Sequence, residues 1–414
     1  MKIIKMVACL SIAIYSNGWA QQNLQQLQLS EALSIALRNN SSIKSAEYDI
    51  TTNRELKKTA SDIGKTSIAG TFGQYNSYVR SDNNITISQS IPFPTVFTAT
   101  AKLGAARIRS SELLLGVTQN ELSFQVKSSF YQLAYLKTLD KWLLHLDSIY
   151  TAFQRAASLR YQYEETNLLE KTTAETQAVQ IRTLLRQNDA DIKIFQTRLK
   201  TLLNTDEQLD IAFDSLSARE ISLPDTSSLI NNPLLNWFRQ QIMVAEKQKI
   251  VEKNRLLPDL SASYFTQTLI DTQLKAGSSD LAGSSDRFQG FGVGISIPLW
   301  IKPQVAKVKA AESQLKANES MYAYQEKNFQ GRLNELIQDY QKYRESLSYY
   351  LEASLPNAEL LLNQSQRAYE SGEIGYVEYL QSLRTATEVR TGYLATLNNY
   401  NQSVISIEYI IGQQ

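Results

Sequence analysis

A short strand pattern that occurs twice, each time between long helical stretches, constrains this chain more than any other feature. In residues 291–298 large apolar residues alternate with glycine and serine, and a proline ends the alternation. Residues 84–92 carry a related pattern, and both copies end in Ser-Ile-Pro. Alternation with a period of two predicts a strand with one apolar face and one small or polar face. The pattern therefore indicates one structural unit that is present twice.

The order of the predicted elements supports this duplication. The first half predicts helices over 31–37 and 42–63, strands over 67–79 and 84–92, a long helix over 98–161 and a helix over 168–203. The second half predicts a helix over 233–257, strands over 260–270 and 291–298, a long helix over 304–369 with a kink at Pro356, and a last helix ending at Gly412. We therefore divide the chain into a leader (1–20), a first repeat (21–204), a polar linker (205–230) and a second repeat (231–414). Residues 21–27 are expected to be a flexible lead-in.

The last helix carries a heptad seam, in which apolar and aromatic residues recur at alternating spacings of three and four. The seam consists of Tyr376, Tyr379, Leu383, Ala386, Arg390, Tyr393, Leu397, Tyr400, Val404 and Ile407. Such spacing is typical of coiled-coil packing. The two shorter helices of each half together match the length of its long helix, so the sequence predicts a uniform helical rod.

The first twenty residues have the plan of a secretory signal peptide. Lys2 and Lys5 precede an apolar run over 6–15, and Gly18-Trp19-Ala20 supplies small residues for cleavage. Cleavage would change the net charge from +1 to −1 and remove Cys9, the only cysteine, so no disulfide is expected. Too little apolar sequence precedes Cys9 for a lipid-attachment site. The near balance of 42 basic and 41 acidic residues argues against nucleic-acid binding.

The strands indicate a membrane barrel that is shared between chains. Four strands cannot close a membrane barrel, because the narrowest known use about eight, whereas three chains would supply about twelve. A lone hairpin is marginal in water, and strands of about 9–11 residues match a tilted bilayer crossing. The membrane-strand residues are predicted to be Ile85, Ile87, Ile91, Phe291, Val293, Ile295 and Ile297. An aromatic girdle is predicted at Tyr75, Tyr78, Phe93, Tyr264, Phe265 and Trp300. The alternative on strand pattern alone is a β-layer packed on helices in water.

The residue inventory predicts no enzyme, cofactor or metal site. His145 is the only histidine and lies in a helical pattern, whereas zinc sites generally need several nitrogen or sulfur ligands. No phosphate-binding GxxxxGK[ST] loop is present. The sequence therefore contains no expected catalytic residue.

Residues 29–40, the paired Ser-Ile-Pro strand ends and residues 369–380 carry a family resemblance. Over essentially its whole mature length the chain resembles the TolC-like outer-membrane efflux proteins, in particular the branch that serves RND-type pumps. The resemblance implies a homotrimer in the outer membrane, with a 12-stranded β-barrel continued by a long periplasmic α-helical coiled-coil barrel. It also implies a passive exit duct that works with a periplasmic adaptor and an inner-membrane transporter of the RND type.

The resemblance also implies that the two helix–turn–helix tips are where the adaptor binds. Tyr369, Gly372 and Glu378 match the family pattern of an aromatic residue, a glycine and an acidic residue. In the first half Tyr161 and Glu170 match, but Glu164 replaces the glycine, so this tip is expected to bind the adaptor less closely. Gln381 stands where many relatives have a second acidic residue, which implies a less acidic constriction.

Two questions stay open at this point. Glu170 and Glu378 either line a gate where three chains converge or only cap and decorate their helices. The chain is either an efflux duct, a periplasmic coiled-coil adaptor, or a structural coiled coil of the cell surface. The duplicated hairpins argue against the second and third classes, because neither needs strands matched to a bilayer.

Overall fold

The computed structural model describes residues 25–207, 209–212 and 215–413, so the predicted leader with Cys9 lies outside the described residues. The elements of the first half are β1 (Gln25–Leu27), α1 (Leu29–Asn39), α2 (Ser41–Lys58), β2 (Ser67–Phe72), β3 (Asn83–Ile91), α3 (Pro94–Gln162) and α4 (Leu168–Leu203). Those of the second half are β4 (Leu209–Ile211), α5 (Pro233–Asn254), β5 (Asp259–Gln267), β6 (Phe288–Ser296), α6 (Ile301–Tyr349), α7 (Leu355–Glu370) and α8 (Tyr376–Ile411). The order helix, hairpin, long helix, helix therefore occurs twice, as the sequence pattern predicts.

The helix ends follow from capping residues. The asparagines Asn40, Asn167 and Asn232 accept a backbone N–H at the start of α2, α4 and α5. An asparagine side chain there satisfies one of the donors that a helix N-terminus leaves unpaired. Pro94 opens α3 at a position where its missing N–H costs nothing. The helix then continues for 69 residues, a length of about 100 Å at 1.5 Å per residue.

The helices form two layers, each of which contains one half of α3 and its neighbouring helices. The first half of α3 packs on α2 and α5, with Asn53 bonded to Ser111 across one contact, and α5 packs in turn on α6. The second half of α3 packs on α4 and α8, and α8 packs on α7 and on the second half of α6. The strands form a third layer in the order β2-β3-β5-β6, all antiparallel. Each layer therefore ends in two elements that have one side unpaired within the described protomer.

The core lies between the helices of these layers. One cluster of buried residues surrounds Leu133, Leu203 and Val404 at mid-length, and a second surrounds Leu146 and Leu383 towards the two helix–helix turns. The predicted seam of α8 is confirmed for its buried members, which are Tyr379, Leu383, Ala386, Leu397, Tyr400, Val404 and Ile407. Tyr376, Arg390 and Tyr393 are only partly buried, because they lie at the margin of the packed face.

A buried ionic cluster attaches the linker to the helices at mid-length. Glu408 of α8 accepts hydrogen bonds from Lys127 of α3, at 2.8 Å, and from Arg219 of the linker. Asn401 accepts the Arg219 backbone N–H at 2.9 Å and donates to the Ser217 carbonyl. Burial lowers the pKa of the Arg219 guanidinium, but Glu408 and Tyr131 together raise it above its ordinary value. The linker is thus held across the seam between α3 and α8 by charged and polar contacts.

The structure corrects the predicted ends of several elements. Residues 25–27 are a strand rather than a flexible lead-in, because β1 pairs in parallel with β4 and buries Leu27. Helix α2 stops at Lys58 instead of residue 63, and the short 3₁₀ segment Thr59–Ser61 follows. Helix α5 stops at Asn254 rather than residue 257.

The hairpin strands are also shorter than predicted. β2 ends at Phe72 rather than residue 79, because Gly73 adopts a left-handed φ of 116° and donates to the Asp82 carbonyl. The Asp82 carboxylate accepts from Thr268 and from the Ile270 N–H, which joins this loop to the other hairpin. β5 correspondingly ends at Gln267 rather than residue 270.

The kink predicted at Pro356 takes the form of a π-helical turn at Tyr350–Ser354, just before the proline. Proline cannot donate the backbone hydrogen bond that the helix needs, and a wider turn accommodates the missing bond. Tyr350 packs on Gly392 of α8, where an added Cβ would lie 2.5 Å from its hydroxyl. None of the helices in the described parts of the chain combines the length and the apolarity that a bilayer crossing requires.

Candidate functional site

The outer face of the sheet gathers the apolar residues of the strand pattern. Ile87 pairs with Tyr264, which pairs with Phe291, and Ile91, Leu260 and Ile295 form a second row across three strands. The register places Ile85 and Val293 on this face as well. Six of the seven predicted strand residues therefore share one face, whereas Ile297 lies just beyond the end of β6 at Ser296. The β6 members are highly exposed in the protomer, up to 92% for Val293.

The inner face of the sheet is small and polar. Its positions carry hydroxyl and amide side chains and glycines, including Thr86, Ser88, Ser263, Gln267, Gly292 and Gly294. Asp259, the first residue of β5, is the one charged residue that the register places on the inner face of these four strands. By the same register the outer face also carries Gln89, Thr266 and Gln289, but most of its side chains are apolar. A mainly apolar outer face and a mainly polar inner face are the arrangement found in membrane β-barrels.

Two of the predicted girdle residues lie on opposite faces of β5. Tyr264 is on the outer face, with its ring centroid 5.3 Å from that of Phe291. Phe265 is on the inner face, where its ring lies over Gly290 of β6. Tyr264 and Phe265 therefore cannot belong to the same girdle, because adjacent residues of a strand point to opposite faces.

The two helix–helix turns have closely related backbones. In the first turn, between α3 and α4, Glu164 has a φ of 61°. In the second turn, between α7 and α8, Gly372 has a φ of 77°. The left-handed conformation costs a residue with a side chain about 1–2 kcal/mol. The structure thus explains why a glycine is expected at position 164, and Glu164 adopts the same conformation despite this cost.

Glu170 lies at the centre of a buried network that joins the two turns. Its carboxylate accepts from the Tyr369 hydroxyl at 3.0 Å, from Arg160 at 3.4 Å and from the Thr166 hydroxyl. The Glu170 side chain is 4% exposed. The Tyr369 ring stacks on that of Tyr379, with centroids 4.7 Å apart. Burial first, and then Glu170, raise the pKa of Tyr369 to about 12, so its hydroxyl remains a donor near neutral pH.

The remaining predicted tip residues occupy more exposed positions. The Glu378 carboxylate accepts the Gly375 N–H at 3.0 Å, which caps the start of its own helix. The Tyr161 ring contacts Lys171 at 5.1 Å, and Gln381 is exposed. Within one protomer the structure therefore brings Glu170 and Tyr369 together, whereas Glu378 and Gln381 lie outside that network.

Arg160 is a member of this network that the sequence analysis did not identify. It donates to Glu170 and, at 3.3 Å, to the Tyr369 hydroxyl, and the hydrogen bond with Tyr369 raises its pKa. A basic residue in the last turn of α3, opposite an acidic residue in the first turn of α4, is the available sequence signal. The network borders a groove of 650 Å³ whose wall includes Ala156, Gly372 and Tyr376.

We find no metal site in the part of the chain that the structure describes. No three His, Cys, Asp or Glu side chains come together there in an arrangement that could hold a metal ion. His145 is exposed, and its ring lies 5.5 Å from that of Trp142.

Removal of the Tyr369 hydroxyl should loosen the contact between the two turns. In Tyr369→Phe the ring stack on Tyr379 remains, but Glu170 loses one donor, at an expected cost of about 1.5–3 kcal/mol for a hydrogen bond to a charged group. Hydrogen exchange of the amides over 160–170 and 369–378 should accelerate. Tyr161→Phe, at the equivalent position of the first turn, should leave these rates unchanged. Equal rates in Tyr369→Phe and the unmodified protein would contradict this role for the hydroxyl.

Comparisons with known proteins agree with this architecture. Residues 226–413 match the family model described as outer membrane efflux protein. The chain is 24% identical over 410 residues to the cobalt-zinc-cadmium resistance protein CzcC of Cupriavidus metallidurans, covering 94% of this chain and 90% of that protein. Its fold is similar to that of CusC, with a TM-score of 0.78, 15% identity and coverage of 97% and 96% of the two chains. The Campylobacter jejuni CmeC outer membrane channel gives a TM-score of 0.78 at 14% identity, covering 93% of this chain and 85% of that one.

Proposed function

We propose that this chain is the exit duct of a tripartite efflux system in the outer membrane, because residues 226–413 match the outer membrane efflux protein family model. It conducts substrates passively from an inner-membrane pump and a periplasmic adaptor to the outside. The observation that carries this proposal is the layered protomer, in which every layer has two unpaired edges.

The sheet gives the strongest argument for assembly. β2 and β6 each have one neighbour in the protomer, and exposed strand edges in lipid leave backbone groups without partners. β2 runs antiparallel to β3 and β6 antiparallel to β5, so β6 of one copy can continue the alternation with β2 of the next. Three copies supply about twelve strands, within the range of known membrane barrels. The proposed assembly is a homotrimer.

The helical layers extend the same argument into the periplasm. α2 and the first half of α6 are the terminal helices of one layer, and the other layer ends in α4 on one side and in α7 with the second half of α6 on the other. Exposed apolar side chains occur on these terminal helices, including Val179 and Ile194 of α4 and Leu360 of α7. Their burial against neighbouring copies would continue the barrel as a helical tube. A monomeric adaptor or surface coiled coil has no comparable need to cover both edges of three successive layers.

The helix–helix turns are the proposed site for adaptor binding and gating. The 650 Å³ groove beside Tyr369 and Gly372 provides a recess at the free ends of the helices. Tyr161, Glu164, Glu378 and Gln381 lie on or near the two turns, on surfaces that a partner can reach. The buried Glu170–Tyr369 contact joins the two turns of one protomer, so a change in the gate requires this contact to move or to break.

The proposal is tested by expression of the full-length chain in a Gram-negative host, followed by membrane fractionation. We expect heat-modifiable trimers in the outer-membrane fraction and stepwise conductance in planar bilayers. A monomer that remains in the periplasmic fraction would refute the duct. Since one relative is a cobalt-zinc-cadmium resistance protein, growth with these cations in a host lacking its own duct is the first substrate assay, with co-expression of an adaptor and pump.

A further inference from the structure

Phe265 is unusual on the inner face of the sheet because its neighbours there are small. Its pairing partners on that face are Thr86 on β3 and Gly290 on β6, and Ser263 precedes it on the same face. By the same alternation Phe288 also faces inward, at the end of β6 beside Gln267. Phe265 is the third residue from the end of β5, so its ring lies within the strand region rather than in the loop.

The far end of the Phe265 ring lies over Gly290. A Cβ built on Gly290 would be 2.7 Å from Cζ and 2.9 Å from Cε1 of this ring. Carbon atoms cannot approach so closely without repulsion, since their favourable separation is about 3.5–4.0 Å. The atoms in conflict belong to the far end of a side chain that can rotate. A side chain at position 290 would therefore displace the ring and leave the strand backbone in place.

The direction of that displacement follows from the sheet. The backbones of β5 and β6 lie beneath the ring, and the outer face is occupied by Tyr264 and Phe291. A ring that leaves Gly290 either moves over Thr86 of β3, whose side chain would hold it farther from the backbone, or rises into the space that the barrel encloses. The absence of a side chain at Gly290 thus determines how far Phe265 extends from the wall.

We propose that Phe265 sets the width of the pore in the outer part of the barrel, and that Gly290 keeps this width large by holding the ring against the wall. The proposal rests on the proposed function, because it presupposes a water-filled trimeric barrel. Three copies would place three Phe265 rings at one level of a wall that, apart from Phe288 at the end of β6, presents mainly hydroxyl groups, amides and glycines. Passing solutes would then meet these rings as the bulkiest apolar contacts of that level.

Single-channel conductance of Gly290→Val tests the proposal. Valine is compatible with a strand backbone, so trimers should assemble normally, and we expect a lower conductance and a smaller size limit for neutral polymers. The double variant Gly290→Val/Phe265→Ala should restore both, because the displaced ring is gone. Gly292→Ala is the matched control. An added Cβ there would lie 2.6 Å from the Ser263 hydroxyl oxygen and 3.9 Å from the Ser263 Cβ, with no aromatic ring nearby, so the conductance should stay unchanged.

The outcomes separate this inference from the proposed function. If the unmodified protein forms no pore, both are refuted. If it conducts but Gly290→Val conducts equally well as an assembled trimer, only the role of Phe265 is refuted. The role of Phe265 is also refuted if Gly290→Val conducts less and the double variant does not regain the conductance of the unmodified protein. If Gly290→Val does not assemble, the single variant Phe265→Ala tests whether the ring limits the pore. Removal of the ring should then raise the size limit for neutral polymers, and an unchanged limit would refute the role.

Discussion

Val293→Lys should abolish assembly of the protein in the outer membrane. Val293 is 92% exposed in the protomer and lies near the middle of β6 on the apolar face. A lysine that faces lipid near the bilayer midplane costs about 2–4 kcal/mol, and a trimer would carry this cost three times. The expected result is loss of heat-modifiable trimers from the outer-membrane fraction.

Ser263→Lys is the matched control for this prediction. Ser263 pairs with Gly292, one step from the pair of Ala262 and Val293, but it lies on the opposite face of the sheet. We expect its trimers to assemble, because the new ammonium group remains in water. Its pore should become more selective for anions, measured as a shift of the reversal potential in a salt gradient. Loss of assembly in Ser263→Lys together with normal assembly of Val293→Lys would reverse the assignment of the two faces.

Glu408→Gln should strongly destabilise the middle of the rod. The substitution keeps the shape of the side chain, but it leaves the cations of Lys127 and Arg219 without a carboxylate. Lys127 and Glu408 are 7% and 8% exposed, and removal of one partner of a buried ion pair costs about 3–5 kcal/mol. The linker should detach, because Arg219 then loses its main electrostatic contact.

Two measurements test this role of Glu408. The denaturant midpoint of detergent-solubilised trimers should fall, and trypsin should begin to cleave after Arg219 under native conditions. Glu335→Gln is the matched control, since the pair of Arg332 and Glu335 is 60% and 66% exposed and such pairs contribute about 0–1 kcal/mol. Equal midpoints and equal resistance to trypsin in Glu408→Gln and Glu335→Gln would contradict a structural role for the buried cluster.

At the two helix–helix turns, local sequence predicts the backbone conformation but not the contacts between the turns. Gly372 and Glu164 could be aligned from spacing, and the left-handed backbone of both turns follows from local chain reversal. The contact between Glu170 and Tyr369 spans 199 residues, and Arg160 enters it only because α3 and α4 run side by side. The periodicity of a single helix cannot predict such a contact, because the contact depends on how the two repeats pack against each other.

In the sheet, too, some features could be predicted from local sequence and others only from the tertiary structure. Alternation within 84–92 and 291–298 predicted six residues of the outer face, because a strand must direct successive side chains to opposite sides, whereas Ile297 lies beyond the end of β6. In β5 two adjacent aromatics, Tyr264 and Phe265, leave the choice of face open, and the register with β6 decides it. The length of β2 was overestimated because Asp82, which ends the loop, is held by Thr268 and Ile270 of the other hairpin.

The sequence by itself determined the duplicated order of elements, the buried members of the α8 seam and the apolar face of the strands. All of these follow from the chain's local geometry and from periods of two or three to four residues. Only the tertiary structure decided that β1 pairs with β4, that Glu408 holds the linker, and that Phe265 rests on Gly290. Those contacts join residues that are distant in sequence, so their energies depend on packing distances and burial that no local pattern contains.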